Sequence, residues 1–172
     1  MSSAPTRCPG CGFEHPAGTG VYEGYYHASP ECWNVFLQVM TREYEDAVLF
    51  GQVHQLSVDA YAVQHAGGPH PDKSVCIHLV GLYWTLERGV APPDVPRRLQ
   101  ALAANVERWP HLELPAQRAA LTVAHVADAD TPSEHARNVR AWSSEVWASW
   151  KEHHAAVAQL AQRTFEAVSS GA

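Results

Sequence analysis

Two cysteines near the start of the chain carry the strongest chemical signal, in the run Cys8-Pro9-Gly10-Cys11-Gly12. Two thiolates at this spacing can bind one metal ion from a tight turn, and the glycines let the backbone turn sharply. The first residues lack the apolar stretch of a secretory signal, which predicts a cytoplasmic, reducing location. In that compartment a cysteine pair is more typical of a metal site than of a disulfide.

A four-ligand site needs two more side chains, and Cys32 is the expected third ligand because a helix N-terminus stabilises a thiolate. His27, just before that helix, is the predicted fourth ligand, with His15 and His54 as alternatives. An iron site would need four cysteines in this region, whereas it contains three, so the expected cofactor is zinc. A closed four-ligand site leaves no position for a substrate, which predicts a structural role. The alternative is that these are unrelated free thiols, as we expect for Cys76.

The chain contains 11 histidines, and several fall in predicted helices. His54 and His65 share one face of the second helix, and His78 lies in an apolar third helix where an unpaired polar group would be costly. One interpretation is a His-lined pocket in a helical bundle that binds a catalytic metal and acts on a small molecule. The other is that His78 is a hydrogen-bonded core residue and the remaining histidines are partly exposed. The sequence has no His-x3-His or Glu-x2-His pair that would favour the pocket.

The elements that position these residues fall into two parts. Residues 1–28 are rich in Gly, Pro and Tyr, and residues 1–32 are predicted to form a zinc knuckle followed by a hairpin, with its strands within residues 21–26. The order of knuckle, hairpin and helix start resembles the treble-clef family of zinc folds over residues 8–32. The pattern departs from that family because His27-x4-Cys32 replaces its second Cys-x2-Cys pair.

The rest of the chain predicts a helical body over residues 30–168. Ser29 is a good N-cap and Pro30 suits the first helical position. Apolar spacing predicts helices near residues 30–49, 53–65, 73–88, 92–109, 122–127 and 132–168, with the third buried at the centre. We therefore expect a mostly α fold, a helical bundle with a small treble-clef-like zinc knuckle, forming a single domain over residues 1–172.

Charge and hydropathy exclude several partner classes. The net charge is −6 and the first fifty residues are acidic, which disfavours binding to nucleic acid. The longest apolar run, Val75–Leu86, is too short to cross a bilayer, and no basic cluster favours a membrane surface. The remaining expectation is a small molecule or another protein as partner.

The whole chain resembles an uncharacterised bacterial family, a domain of unknown function. The resemblance is carried by four stretches: Cys8–Gly12 with its zinc knuckle, Ser29–Trp33, Val58–His65, and His78–Leu82 followed by Leu86–Gly89. It implies no activity, but it implies a shared site formed by Asp59, Gln64, His65 and His78, with His54 as a weaker member. Two hypotheses follow, a zinc-binding helical protein with a binding or accessory role, or a metal-dependent enzyme. The sequence leaves open which is correct.

Overall fold

The computed structural model describes residues 5–169, with side chains described as far as residue 163. The described chain is mostly helical with a small two-stranded sheet, which confirms the predicted fold class. The outer limits of the predicted domain, residues 1 and 172, lie outside this range. The helices are α1 (Pro30–Glu45), α2 (Ala47–Gln64), α3 (Asp72–Leu86), α4 (Val95–Asn105), α5 (Val123–Ala127), α6 (Pro132–Ser149) and α7 (His154–Ser169).

The strands flank the knuckle instead of following it. β1 (Thr6–Arg7) pairs antiparallel with β2 (Glu14–His15), so the Cys8–Cys11 turn lies between them. The prediction of strands within residues 21–26 is wrong, because residues 24–27 form bends. Tyr22 and Tyr26 instead pack against Trp33 of α1, with ring centroids 5.2 Å and 5.9 Å away. Packing of aromatic side chains on a helix has replaced strand pairing in this segment.

The first predicted helix, residues 30–49, is two helices separated by Asp46. The Asp46 carboxylate accepts hydrogen bonds from the N–H groups of Val48 and Leu49, both at 3.0 Å, and so caps the start of α2. The apolar spacing continues across this residue, which is why the sequence predicted one continuous helix. As a result α2 begins at Ala47, several residues before the predicted start near Val53.

Helix α2 is buried on nearly every side, with α3 beside it. It packs against α1, α3 and α6, so it shares the central position that was expected for the third helix alone. Its fully buried side chains include polar ones, Ser57 and Asp59, as well as apolar ones such as Leu56. Buried polar groups need hydrogen-bond partners, and the central position of α2 therefore dictates the polar clusters described below.

The predicted last helix is also divided, at Trp150. Helix α6 ends at Ser149, a short 3₁₀ turn covers residues 151–153, and α7 begins at His154. The ring of His154 stacks on Trp147 at 3.8 Å, and its Nε2 donates to the Trp147 carbonyl oxygen at 2.9 Å. This turn directs α7 onto α3 and α4. Within the described range, none of the helices has the combination of length and apolar character needed to cross a membrane.

Candidate metal centre

The knuckle turn is held by two backbone hydrogen bonds. The Cys8 N–H donates to the Phe13 carbonyl at 2.9 Å, and the Gly12 N–H donates to the Cys8 carbonyl at 2.9 Å. Gly12 has φ +80°, a conformation that glycine adopts without strain. At Gly10 a Cβ would lie 2.3 Å from a backbone oxygen of the next segment, so only glycine fits this close approach. The turn therefore places both sulfurs on its inner side.

Cys32 reaches the same point from the first turn of α1. Ser29 caps this helix by accepting the Cys32 N–H at 3.2 Å, and its own N–H donates to the Cys8 sulfur at 3.4 Å. The Ser29 hydroxyl in turn donates to His15 Nε2 at 2.9 Å, while His15 Nδ1 donates to the Pro16 carbonyl at 2.9 Å. Both nitrogens of His15 are thus used in holding the helix start against the knuckle.

The fourth member of the group is His65, the C-cap of α2. One potential ligand atom from each of Cys8, Cys11, Cys32 and His65 lies within 4.8 Å of the other three. The Cys11 and Cys32 sulfurs are 3.7 Å apart, and His65 Nε2 is 3.3 Å from the Cys32 sulfur. All four residues are buried. This Cys3His cluster could hold a metal ion.

The last turn of α2 fixes the orientation of the His65 ring. Its Nδ1 donates to the Tyr61 carbonyl at 2.7 Å, which leaves the Nε2 lone pair facing the sulfurs. Tyr61, fully buried, stacks on Phe36 at 3.9 Å and donates its hydroxyl to the Cys32 sulfur at 3.7 Å. Hydrogen bonds of this kind orient ligands and place positive charge beside a thiolate.

The protonation of the three thiols is interdependent. Hydrogen bonds from Cys11 and Cys32 lower the pKa of Cys8 far below its usual range. Hydrogen bonds to the other two sulfurs raise the pKa of Cys32 well above its usual range, and burial raises it further. One buried thiolate therefore suppresses ionisation of its neighbours, and a bound cation is what would stabilise three thiolates together.

The predicted fourth ligand, His27, is not part of the cluster. Its backbone N–H donates to the His65 carbonyl at 2.9 Å, so the two residues are adjacent. Its ring, however, packs on Gly68, where a Cβ would lie 2.4 Å from His27 Nδ1. The two alternative ligands also have other partners. His15 is hydrogen-bonded to Ser29 at the start of α1, and His54 is hydrogen-bonded to Glu43. The structure thus places His65 in the position that the sequence analysis gave to His27.

The residues proposed for a His-lined pocket are divided among four places. His65 belongs to the Cys3His cluster. Gln64 donates to the Leu121 carbonyl and accepts from Trp142 Nε1 at 2.9 Å. His54 donates to Glu43, while Asp59 pairs with His78. Among these residues, the described side chains form one mutual hydrogen bond, between Asp59 and His78.

The Asp59–His78 pair joins α2 to α3. Asp59 is fully buried, and its Oδ1 accepts from His78 Nδ1 at 2.7 Å and from Gln55 Nε2 at 2.8 Å. Its Oδ2 has no hydrogen-bond partner among the described residues and lies against Gly81. Burial raises the pKa of this carboxyl above its ordinary value, although the bond from His78 opposes that effect.

A second buried carboxylate, Glu43, was missed by the sequence analysis. It is fully buried and accepts from His54 Nδ1 at 2.8 Å, Ser57 Oγ at 2.6 Å and His135 Nε2 at 2.9 Å. Burial alone would raise the pKa of Glu43, but these hydrogen bonds outweigh it and lower the pKa below its ordinary value. Its position on the same helix face as Phe36 and other buried α1 residues was the available signal.

Comparison with known proteins gives one match. A protein-family model described as a family of unknown function, DUF5946, matches residues 6–151. No curated protein and no solved structure matches the chain. The matched range extends from β1 to just beyond α6 and contains all four residues of the Cys3His cluster. The resemblance to an uncharacterised family is therefore confirmed.

Proposed function

The chain belongs to DUF5946, a family of unknown function, and we propose that it is a zinc-binding helical protein whose Cys3His cluster is a structural site. The observation that carries this proposal is the meeting of four buried potential ligand atoms within 4.8 Å of one another. Three thiolates and one imidazole are a donor set that favours zinc over hard cations.

The distances support a tetrahedral ion. With Zn–S bonds of about 2.3 Å and Zn–N bonds of about 2.0 Å, tetrahedral geometry places two sulfurs about 3.8 Å apart and a sulfur and nitrogen about 3.5 Å apart. The corresponding separations are 3.7 Å between Cys11 and Cys32 and 3.3 Å between Cys32 and His65. Four protein ligands fill such a site, which leaves no coordination position for a substrate.

The role of the ion in this proposal is to join three parts of the chain. Cys8 and Cys11 come from the knuckle, Cys32 from the start of α1, and His65 from the end of α2. The knuckle is small and its two strands are two residues each, so it has little apolar surface of its own to bury. The ion therefore supplies the attachment of the knuckle to the helices. We assign the protein a binding or accessory role in the cytoplasm.

The test is the metal content of purified variants, measured by mass spectrometry after preparation without chelator. We expect about one zinc per chain in the wild type. Cys11→Ser and His65→Ala remove a ligand and should lose the metal. The matched controls are Cys76→Ser, a buried free cysteine bonded to the Pro110 carbonyl, and His27→Ala, the neighbour of His65. Both controls should retain it.

Each result is decisive for a different part of the proposal. A metal-free wild type, or equal zinc content in Cys11→Ser and the wild type, would overturn the zinc site. Loss of zinc from His27→Ala with retention in His65→Ala would show that the fourth ligand is His27. The alternative of a metal-dependent enzyme has no supporting geometry in the described part of the chain, because its candidate residues are dispersed.

A further inference from the structure

A cavity of about 310 Å³ lies beside the Cys3His cluster. Its walls come from Pro9 and Gly10 of the knuckle, the turn at residues 66–68 after α2, the loop around residues 114–119 and the end of α6. Gly10 lies between two cysteines of the cluster, and Ala66 follows His65 directly. The cavity is thus bounded by the segments that a bound metal would hold together.

Arg118 lines this cavity and also an adjoining pocket, whose lining includes Glu113, Glu145 and Glu152. The chain as a whole has a net charge of −6, yet the described residues that line the cavity itself include no aspartate and no glutamate. Among these described residues Arg118 is the one permanently charged side chain, and the His27 ring lines the cavity beside it. An acid-free concave surface with an arginine favours a negatively charged ligand.

Several hydrogen-bond donors around the cavity are free. Among the described residues Arg118 forms no ion pair and no hydrogen bond, and neither does the ring of His27. Gly67 and Gly68 have φ +99° and +54°, and their N–H groups bond to nothing in the described part of the chain. An oxyanion accepts several hydrogen bonds at once, so guanidinium, imidazole and backbone N–H groups together are suited to it.

Val63, Leu114 and Trp150 supply apolar surface to the same space, beside the polar side chains of Gln64 and Ser149. A volume of about 310 Å³ is at the lower end for ligand sites and admits a molecule of about ten heavy atoms. We infer that this cavity binds a small organic anion, with a carboxylate or phosphate directed at Arg118 and an apolar body against Trp150. This inference rests on the proposed function, because the metal fixes Gly10 in the cavity wall.

The test is calorimetric titration of protein whose zinc content has first been measured. The probes are benzoate, phenyl phosphate and benzamide, an aromatic carboxylate, an aromatic phosphate and a neutral molecule of similar shape. We expect at least one anion to bind and benzamide to bind at least about tenfold more weakly, as loss of a charge-assisted hydrogen bond implies. Whichever anion binds more tightly identifies the carboxylate or the phosphate as the natural group.

Two variants distinguish anion binding in this cavity from nonspecific attraction of anions to other arginines of the protein. Arg118→Gln should weaken anion binding at least about tenfold. Arg108→Gln, at an exposed arginine outside the cavity, should leave it unchanged. Anion binding that survives Arg118→Gln, equal binding of benzamide, or no binding by zinc-loaded protein overturns the inference while the zinc site stands. Absence of zinc from the wild type is the separate failure of the proposed function.

Discussion

Glu43 on α1 accepts a hydrogen bond of 2.9 Å from Nε2 of His135 on α6, across 92 residues of sequence. The same carboxylate accepts from His54 and Ser57 on α2, so one buried acid joins three helices. Its side chain has no exposure to solvent. Removal of the carboxylate would leave two buried donors, Ser57 and His135, and the partly exposed His54 without this partner, so we expect Glu43 to be a sensitive polar position in the described core.

Replacement of Glu43 by alanine should lower the free energy of unfolding by about 3–5 kcal/mol, the usual cost of breaking a buried charged network. The measurement is urea-induced unfolding of the zinc-loaded protein. Glu45→Ala is the matched control, since Glu45 lies on the same helix but is exposed. It should change the free energy of unfolding by no more than about 0.5 kcal/mol. Equal effects from the two variants would contradict the role of the network.

The lowered pKa of Glu43 also predicts how stability depends on pH. Native Glu43 stays ionised at pH values where the unfolded state has bound a proton, so the unfolded state binds more protons. Its stabilising contribution is thus present above the ordinary pKa of 4.5 and is lost as pH falls below it. Between about pH 7 and about pH 4, wild type should lose more stability than Glu43→Gln in urea unfolding. Parallel losses in the two proteins would refute this assignment.

A glycine of α3 is required by the buried carboxylate of α2. A Cβ at Gly81 would lie 2.2 Å from Asp59 Oδ2 and 2.7 Å from its Cγ. Gly81→Ala should therefore destabilise the protein by about 1–3 kcal/mol, as overpacking of a core does. At Gly51, also helical, a Cβ would meet nothing within 4 Å, and Gly51→Ala should stabilise by about 0.5–1 kcal/mol. Thermal unfolding measures the stability of both variants, and we expect the two changes in stability to have opposite signs.

The hydroxyl of Tyr61 should tune the metal affinity of the Cys3His cluster. Tyr61→Phe keeps the ring stacked on Phe36 but removes the hydrogen bond to the Cys32 sulfur. We expect zinc to bind about tenfold more weakly, measured by competition with a chromogenic chelator. Tyr83→Phe, at a partly buried tyrosine beside Trp147, is the control and should retain wild-type affinity. An unchanged affinity in Tyr61→Phe would show that this bond does not support the site.

Local sequence signals predicted the elements better than their connections. The spacing of Cys8 and Cys11 and the Ser29-Pro30 helix start depend on neighbouring residues, and the structure shows a turn and a helix there. The breaks at Asp46 and Trp150 were not predicted, because apolar spacing continues through both. A capping side chain or a stacked histidine decides such breaks, and neither interrupts a hydrophobic pattern.

The histidines show what the sequence could not reveal. His27 and His65 are joined by a backbone hydrogen bond of 2.9 Å, yet only His65 presents its ring to the sulfurs. Which of the two rings faces the sulfurs depends on the length and direction of α2. The apolar spacing predicted that this helix begins near residue 53, whereas it begins at Ala47. His65 was singled out for a different role, in a pocket with Asp59 and His78. The sequence thus singled out His65 as a candidate site residue, but it did not show that its partners are the distant cysteines.

The spacing of the four cluster residues along the chain has a consequence for how the protein is made. His65 follows Cys32 by 33 residues, with all of α2 between them. During synthesis from the N-terminus, the two knuckle thiols and the Cys32 thiol of α1 therefore emerge before His65, which can join them only after α1 and α2 have left the ribosome. Until α2 docks, we expect these sulfurs to be more open to oxidation or to capture by softer ions than they are in the folded protein.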